Sequence, residues 1–330
     1  MYRILGCLFL GIALLCAVAA GQDVTPGGTQ ADSAHVYLSQ GRELANAQKL
    51  DEALAAFERA ITLQPDFEEA WRGKGAVLWM MDRQDESLAA TSKAIELKPD
   101  DCKAWLNKGR AFMRKGQTED ALKTFEKASE LEPGNEDALM GRFAMLRELN
   151  RADDMIKVLN RLIELKPDDP IRWMRKGMES AEIGKPDTAL AAFDHLGEML
   201  PDSAFVWIGK GQCLAAMGRQ TEALTALDKA TTMDPKSLDA WNIKGSILTK
   251  MTRYDDALKA YDKALEIEPK FTWGVYNRGC TYSLMGEKAK ALDELRKAIE
   301  MDSSVKVVAP TDEDLKNLWD DPEFKTLTQK

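Results

Sequence analysis

Apolar side chains recur through most of this chain at steps of three and four residues, the spacing of one face of an α-helix. A slower rhythm lies over that one. Proline stands at Pro65, Pro99, Pro133, Pro167, Pro201, Pro235 and Pro269, each 34 residues after the last. Counting back gives windows 34–67, 68–101, 102–135, 136–169, 170–203, 204–237, 238–271 and 272–305, the last with Ser303 in place of its proline. A constant period of this length predicts stacked helical hairpins.

Overlaying the windows separates what the fold requires from what varies. The fourth position holds Tyr37, Trp71, Trp105, Leu139, Trp173, Trp207, Trp241 and Val275, so five of the eight tryptophans share one packing role. Small residues recur at the eighth position (Gly41, Gly75, Gly109, Gly177, Gly211, Gly245, Gly279), the twentieth and the twenty-seventh, where two helices must approach closely. Positions four, eight and eleven share one face of a first helix, A. Gly116, Gly184, Gly218 and Gly286 then mark a break near position fifteen, where glycine leaves a helix at least steric cost. A second helix, B, runs on to the proline. Pro170 and Pro186 fall at helix starts, where a missing N–H costs nothing. The fourth window departs from the pattern, with Leu139, Phe143, Met155 and Leu162 at the aromatic and small positions. Those larger residues are expected to spread its two helices.

This arrangement, seen in stretches such as Ala104-Trp105-Leu106-Asn107-Lys108-Gly109, resembles the tetratricopeptide repeat family. The resemblance implies an all-α fold, a right-handed superhelical solenoid of eight helical hairpins over 34–305, closed by a C-terminal cap over 306–330. In the cap, Asp312 and Asp321 are placed to start short helices, and Trp319 and Phe324 are expected to cover the open end. At position seven, where the family commonly has leucine, the chain has Lys or Arg in seven windows. Long stems lying along the helix with their charges in water explain that ladder.

The N-terminus is a different text. Arg3 precedes the uncharged run Ile4 to Gly21, and Ala17-Val18-Ala19-Ala20 has the small residues a signal peptidase reads. Residues 1–20 are therefore expected to direct export, removed as a signal or kept as a membrane anchor. The protein would be secreted or held at the outer face of the cytoplasmic membrane. Residues 21–33 read as a flexible spacer. Beyond residue 20 only Cys102, Cys213 and Cys280 remain, at least two repeats apart and out of disulfide reach, so three free thiols are expected.

Composition narrows the function. Lys and Arg number 45 against 54 Asp and Glu, a net charge of −9, which disfavours nucleic acid as a partner. The two histidines, His35 and His195, lie in different repeats, so no histidine metal site, cofactor site or catalytic constellation is expected. Gly73-Lys74-Gly75 and Gly209-Lys210-Gly211 sit inside helix A with no preceding strand and are read as packing positions rather than phosphate loops.

What remains is a surface. In the resembled family, positions two, five, nine and twelve of helix A line a concave groove. Here the early repeats place Arg42, Arg72, Lys103, Arg110 and Arg147 there, with Trp79, Met113 and Met140 between them, a basic and aromatic stretch. Repeats five and six place Ile171, Met174, Met178, Phe205 and Ile208 there. Repeat seven turns polar with Asp239, Asn242, Ser246 and Thr249, and repeat eight has Trp273 and Tyr276. Methionines and aromatics on a groove suit an apolar peptide, while the same residues also suit burial between helices. No three successive repeats match the family's carboxylate clamp. The expected function is a non-enzymatic scaffold that binds a peptide or protein partner; the alternative is a structural spacer or self-assembling element using its ends or convex face.

Overall fold

A computed structural model of the chain describes residues 29–329. The expected export segment and residues 21–28 of the expected spacer lie outside the described residues. The described part is all-α, with no strand, and divides into two compact units that meet in sequence at Leu165 and Lys166.

The first unit holds four hairpins: α1 (Gln30–Asn46) with α2 (Leu50–Leu63), α3 (Glu68–Met80) with α4 (Gln84–Leu97), α5 (Cys102–Arg114) with α6 (Thr118–Leu131), and α7 (Glu136–Glu148) with α8 (Ala152–Leu165). The second holds α9 (Pro170–Glu182) with α10 (Pro186–Met199), α11 (Ala204–Ala216) with α12 (Gln220–Met233), α13 (Leu238–Lys250) with α14 (Tyr254–Ile267), and α15 (Thr272–Leu284) with α16 (Lys288–Met301). Odd-numbered helices are A helices and even-numbered ones B helices. The first helix begins at Gln30, where Thr29 and Asp32 form a reciprocal capping box, so the end of the expected spacer is helical. Side chains of Asp101, Asn135, Asp169 and Ser237 cap later A helices.

All eight hairpins turn through one left-handed residue at position fifteen. Four use the expected glycines, and the others use Gln48, Asp82, Asn150 and Thr252 at φ between 54° and 61°. The tryptophans do more than pack. Their indole N–H groups donate to the carbonyl of the proline six residues earlier, Trp71 to Pro65 at 2.9 Å, Trp105 to Pro99 at 2.9 Å, Trp173 to Pro167 at 2.8 Å and Trp241 to Pro235 at 3.0 Å. The two residues of the period that looked independent are thus one linkage between consecutive hairpins.

The glycine pairs have a packing cause as well. A Cβ on Gly41 or Gly73 would lie 2.8 or 2.5 Å from the Phe57 ring. Phe125 presses likewise on Gly109 and Gly141, and Phe193 on Gly177 and Gly209. Aromatic rings at position twenty-four occur in the odd repeats; the three phenylalanines are each seated between their own glycine and one in the next repeat, whereas Tyr261 presses on Gly245 alone, with Asn277 at the place of the second glycine. The true packing unit is two repeats, a longer period that single-window overlay conceals. In repeat four Phe143 and Leu159 are both buried, and α7 and α8 approach over less of their length than any other described hairpin, as the large residues lead one to expect.

The position-seven ladder corrects the expectation of solvated charges. Lys74 pairs with Glu58 at 2.8 Å, Lys210 with Asp194 at 2.8 Å, Lys244 with Asp228 at 2.6 Å and Arg278 with Asp262 at 2.7 Å. Each carboxylate sits on the preceding B helix, and the cationic side chains are mostly covered. Several also lie over the tryptophan of their own helix, Lys210 at 4.7 Å from the Trp207 ring.

The C-terminal cap comprises α17 (Val305–Val308), 3₁₀ segments over Ala309–Thr311 and Glu313–Leu318, and α18 (Pro322–Thr328). Asp312 and Asp321 cap the two latter elements as expected. Val305, Leu315, Leu318 and Phe324 are buried against α15 and α16, and Trp319 packs half-buried beside them.

Candidate functional site

In the first unit α1, α3, α5 and α7 line a cleft whose wall includes Arg42, Arg72, Lys103, Asn107 and Arg110. The stretch expected to be basic is largely neutralised. Arg42 pairs with Glu69, Arg110 with Asp137 at 2.8 Å, and Arg72 with Asp101 at 2.6 Å. Glu69 and Asp137 occupy position two of the next repeat, 27 residues on, and were missed because only cations were read along the stripe. The fixed offset between repeats was the signal for them. Lys103 makes no ion pair among the described residues. Trp79 is not a bare aromatic surface: the Arg114 guanidinium lies 4.4 Å from its ring centre and is itself 3.3 Å from Asp82. Met113 and Arg147 are exposed, and Met140 is half-buried.

The second unit separates its expected residues into three groups. Ile171 and Met178 on α9 and Phe205 on α11 are open, at 59%, 52% and 41% exposure. Phe205 is held edge-on against buried Phe193 at 6.0 Å. Met174 instead packs against the core of Phe193, Leu196 and Val206, and Ile208 is half-buried, so these two follow the burial alternative. Tyr276 is a correction. It is buried at 3% exposure, and its hydroxyl donates to Asp312 at 2.6 Å, because the cap lies over its part of α15. Its neighbour Trp273 stays exposed, edge-on to the Tyr276 ring. Thr249 is likewise inside, within hydrogen-bonding distance of Thr281 at 2.9 Å.

The histidines stay at the surface against aromatic rings, and the thiols are buried. His195 lies 4.0 Å from the Trp173 ring, and His35 meets Phe67 edge-on at 4.6 Å. Cys102, Cys213 and Cys280 are buried free thiols. Burial pushes the Cys102 thiol up to about 12 and Cys213 up to about 11, and it raises Cys280 as well. Among the described residues no group of three or more His, Cys, Asp and Glu side chains is placed to hold a metal ion, and no helix is long and apolar enough to cross a membrane.

Family models of the tetratricopeptide repeat match residues 38–101 and 175–237, 112–175, 90–123 and 260–293, and 238–271. The chain belongs to the tetratricopeptide repeat family. No curated protein matches it in sequence. In fold, the repeat protein is similar to a chain in the structure of Naa15/Naa10 bound to HypK-THB, with a TM-score of 0.64 and 16% identity over 89% of this chain. It spans 45% of that chain. A tetratricopeptide repeat protein from Parabacteroides merdae aligns at TM-score 0.45 and 15% identity, covering 81% of this chain and 99% of its own. MamA of Desulfovibrio magneticus RS-1 aligns at TM-score 0.43 and 19% identity, covering 52% of this chain and 96% of its own.

Proposed function

We propose that this tetratricopeptide repeat protein is a non-catalytic scaffold that binds an apolar segment of a protein partner on the A-helix face of its second unit. One observation carries the reading: Ile171, Met178 and Phe205 are large, apolar and open on two neighbouring A helices. Clustered exposure of this kind marks interaction sites, since an apolar side chain removed from water contributes about 1.5–3 kcal/mol. Family membership supports it, because tetratricopeptide repeats commonly serve as protein-interaction scaffolds. The paired charges of the first unit would by themselves supply little affinity, since exposed ion pairs are worth about 0–1 kcal/mol. Export outside the cytoplasmic membrane is part of the proposal and rests on Arg3, the uncharged run after it and the small residues at Ala17–Ala20.

The test uses Ile171→Ser, Met178→Ser and Phe205→Ser together, leaving Met174 alone because it belongs to the core. Residues 21–330, native and variant, are matched for helicity and melting, then compared for retention of exported proteins of the source cell. A partner retained by the native chain and lost by the folded variant supports the reading, whereas identical partner sets reject this face. N-terminal sequencing of the exported chain separately reads out cleavage after Ala19 or Ala20. A spacer that stacks by its ends is disfavoured by the cap, which buries Leu315 and Leu318 against the last repeat.

A further inference from the structure

A second cleft lies away from the A-helix face, between α12, α13 and α14. Trp241 and Leu248 line it with Lys244, Arg253, Lys259 and Lys263. The tryptophans of repeats five and six show what differs here, although Lys93 in repeat two and Lys127 in repeat three also turn to a glutamate three residues on, Glu96 at 2.9 Å and Glu130 at 3.1 Å. At position twenty-six, His195 stacks on Trp173 at 4.0 Å, and the Lys229 ammonium sits 4.2 Å from the Trp207 ring centre. Lys263 holds the same position in repeat seven but turns away to Glu266 at 2.6 Å. Repeat six has Thr232 where repeat seven has Glu266, so Lys229 has no such carboxylate to draw it off. Position twenty-two differs too: it is Ala191 and Thr225 in repeats five and six, but Lys259 here, 76% exposed.

We infer that this cleft is a docking site for an acidic peptide segment carrying an aromatic or aliphatic side chain. Charge complementarity selects the partner. Asp256 serves both Arg253 and Lys259, and Lys244 and Lys263 have one carboxylate each, Asp228 and Glu266, so the rim keeps a surplus of positive charge in a chain of net charge −9. These pairs are solvent-exposed on the carboxylate side and therefore exchange readily for an incoming carboxylate. The half-buried indole, fixed by its bond to Pro235 and with the Lys244 ammonium 5.0 Å from its ring centre, accepts the apolar side chain beside those carboxylates, where no position-twenty-six side chain covers it.

The test is a titration of the chain into a short fluorescein-labelled peptide with a central Phe between Glu and Asp residues, read by anisotropy. Saturable binding is expected, weakening about tenfold at high salt as screening shortens. Lys259→Glu, an exposed and fold-neutral change, should weaken it by a similar factor. Glu266→Thr is the discriminating variant. It removes a negative charge, so a merely electrostatic surface binds the peptide more tightly. The proposed site binds it several-fold more weakly, because Lys263 is released to fold over Trp241 as Lys229 does over Trp207. Phe205→Ser should leave this binding unchanged, which separates the site from the A-helix face. Tighter binding by Glu266→Thr, loss with Phe205→Ser, or no saturable binding overturns the inference.

Discussion

At the scale of the residue, position fifteen isolates backbone conformation from everything else. Gly116 has φ of 68° and nothing within 4 Å of where a Cβ would stand, so Gly116→Ala changes only the strain of a left-handed turn. It should lower stability by about 1 kcal/mol in urea unfolding. Thr252 adopts the same conformation with a β-branched side chain, and Thr252→Gly should raise stability by about 0.5 kcal/mol, the strain relieved less the extra freedom of the unfolded chain. The thiols give a chemical readout at the same scale. Raised well above neutrality and buried, Cys102, Cys213 and Cys280 should react with a disulfide reagent only as the chain unfolds, so labelling of residues 21–330 should follow the denaturation curve. Rapid labelling in native buffer would show local opening of the repeat that carries the cysteine.

At the scale of the element, helix identity was legible because each repeat states it again: Trp four, Gly eight and Pro thirty-two fall in register until the pattern is unmistakable. Contacts between elements were less so. Arg42 and Arg110 meet Glu69 and Asp137 on another helix, and a stripe read along one helix does not contain its neighbour. Met174 and Phe205 belong to the same stripe, yet one packs inward and the other outward, because position five turns toward the adjoining hairpin. The ring-and-glycine seats give a direct test. Gly209→Ala places a methyl 2.6 Å from Phe193, which must shift, at a cost of about 1–3 kcal/mol. Adding Phe193→Leu should recover part of that loss, as the coupling of two touching residues requires, and the double-mutant cycle measures it.

At the scale of the whole molecule, the cap decides how the chain ends. Tyr276 was read as a groove residue because nothing in its own repeat reveals that a segment 36 residues later returns to cover it. Removing residues 305–330 uncovers Tyr276, Cys280 and Leu295 and forfeits about 2 kcal/mol for each of Val305, Leu315, Leu318 and Phe324. The shortened chain should melt lower and bind a dye specific for apolar surface. Asp312→Asn, which weakens the tyrosine contact and the helix cap together, should move both readouts part of the way. The two-repeat packing unit bears on heredity as much as on mechanics. Excision of a whole pair, such as residues 68–135, would set Phe57 against Gly141, and its duplication would set Phe125 against a second Gly73, so both keep a ring over a glycine. Loss of repeat two alone would bring Asn107 beneath Phe57 instead. Chains of this lineage are therefore expected to grow and shrink mainly by pairs, although Tyr261 followed by Asn277 at position six of repeat eight shows that a seat can do without its second glycine.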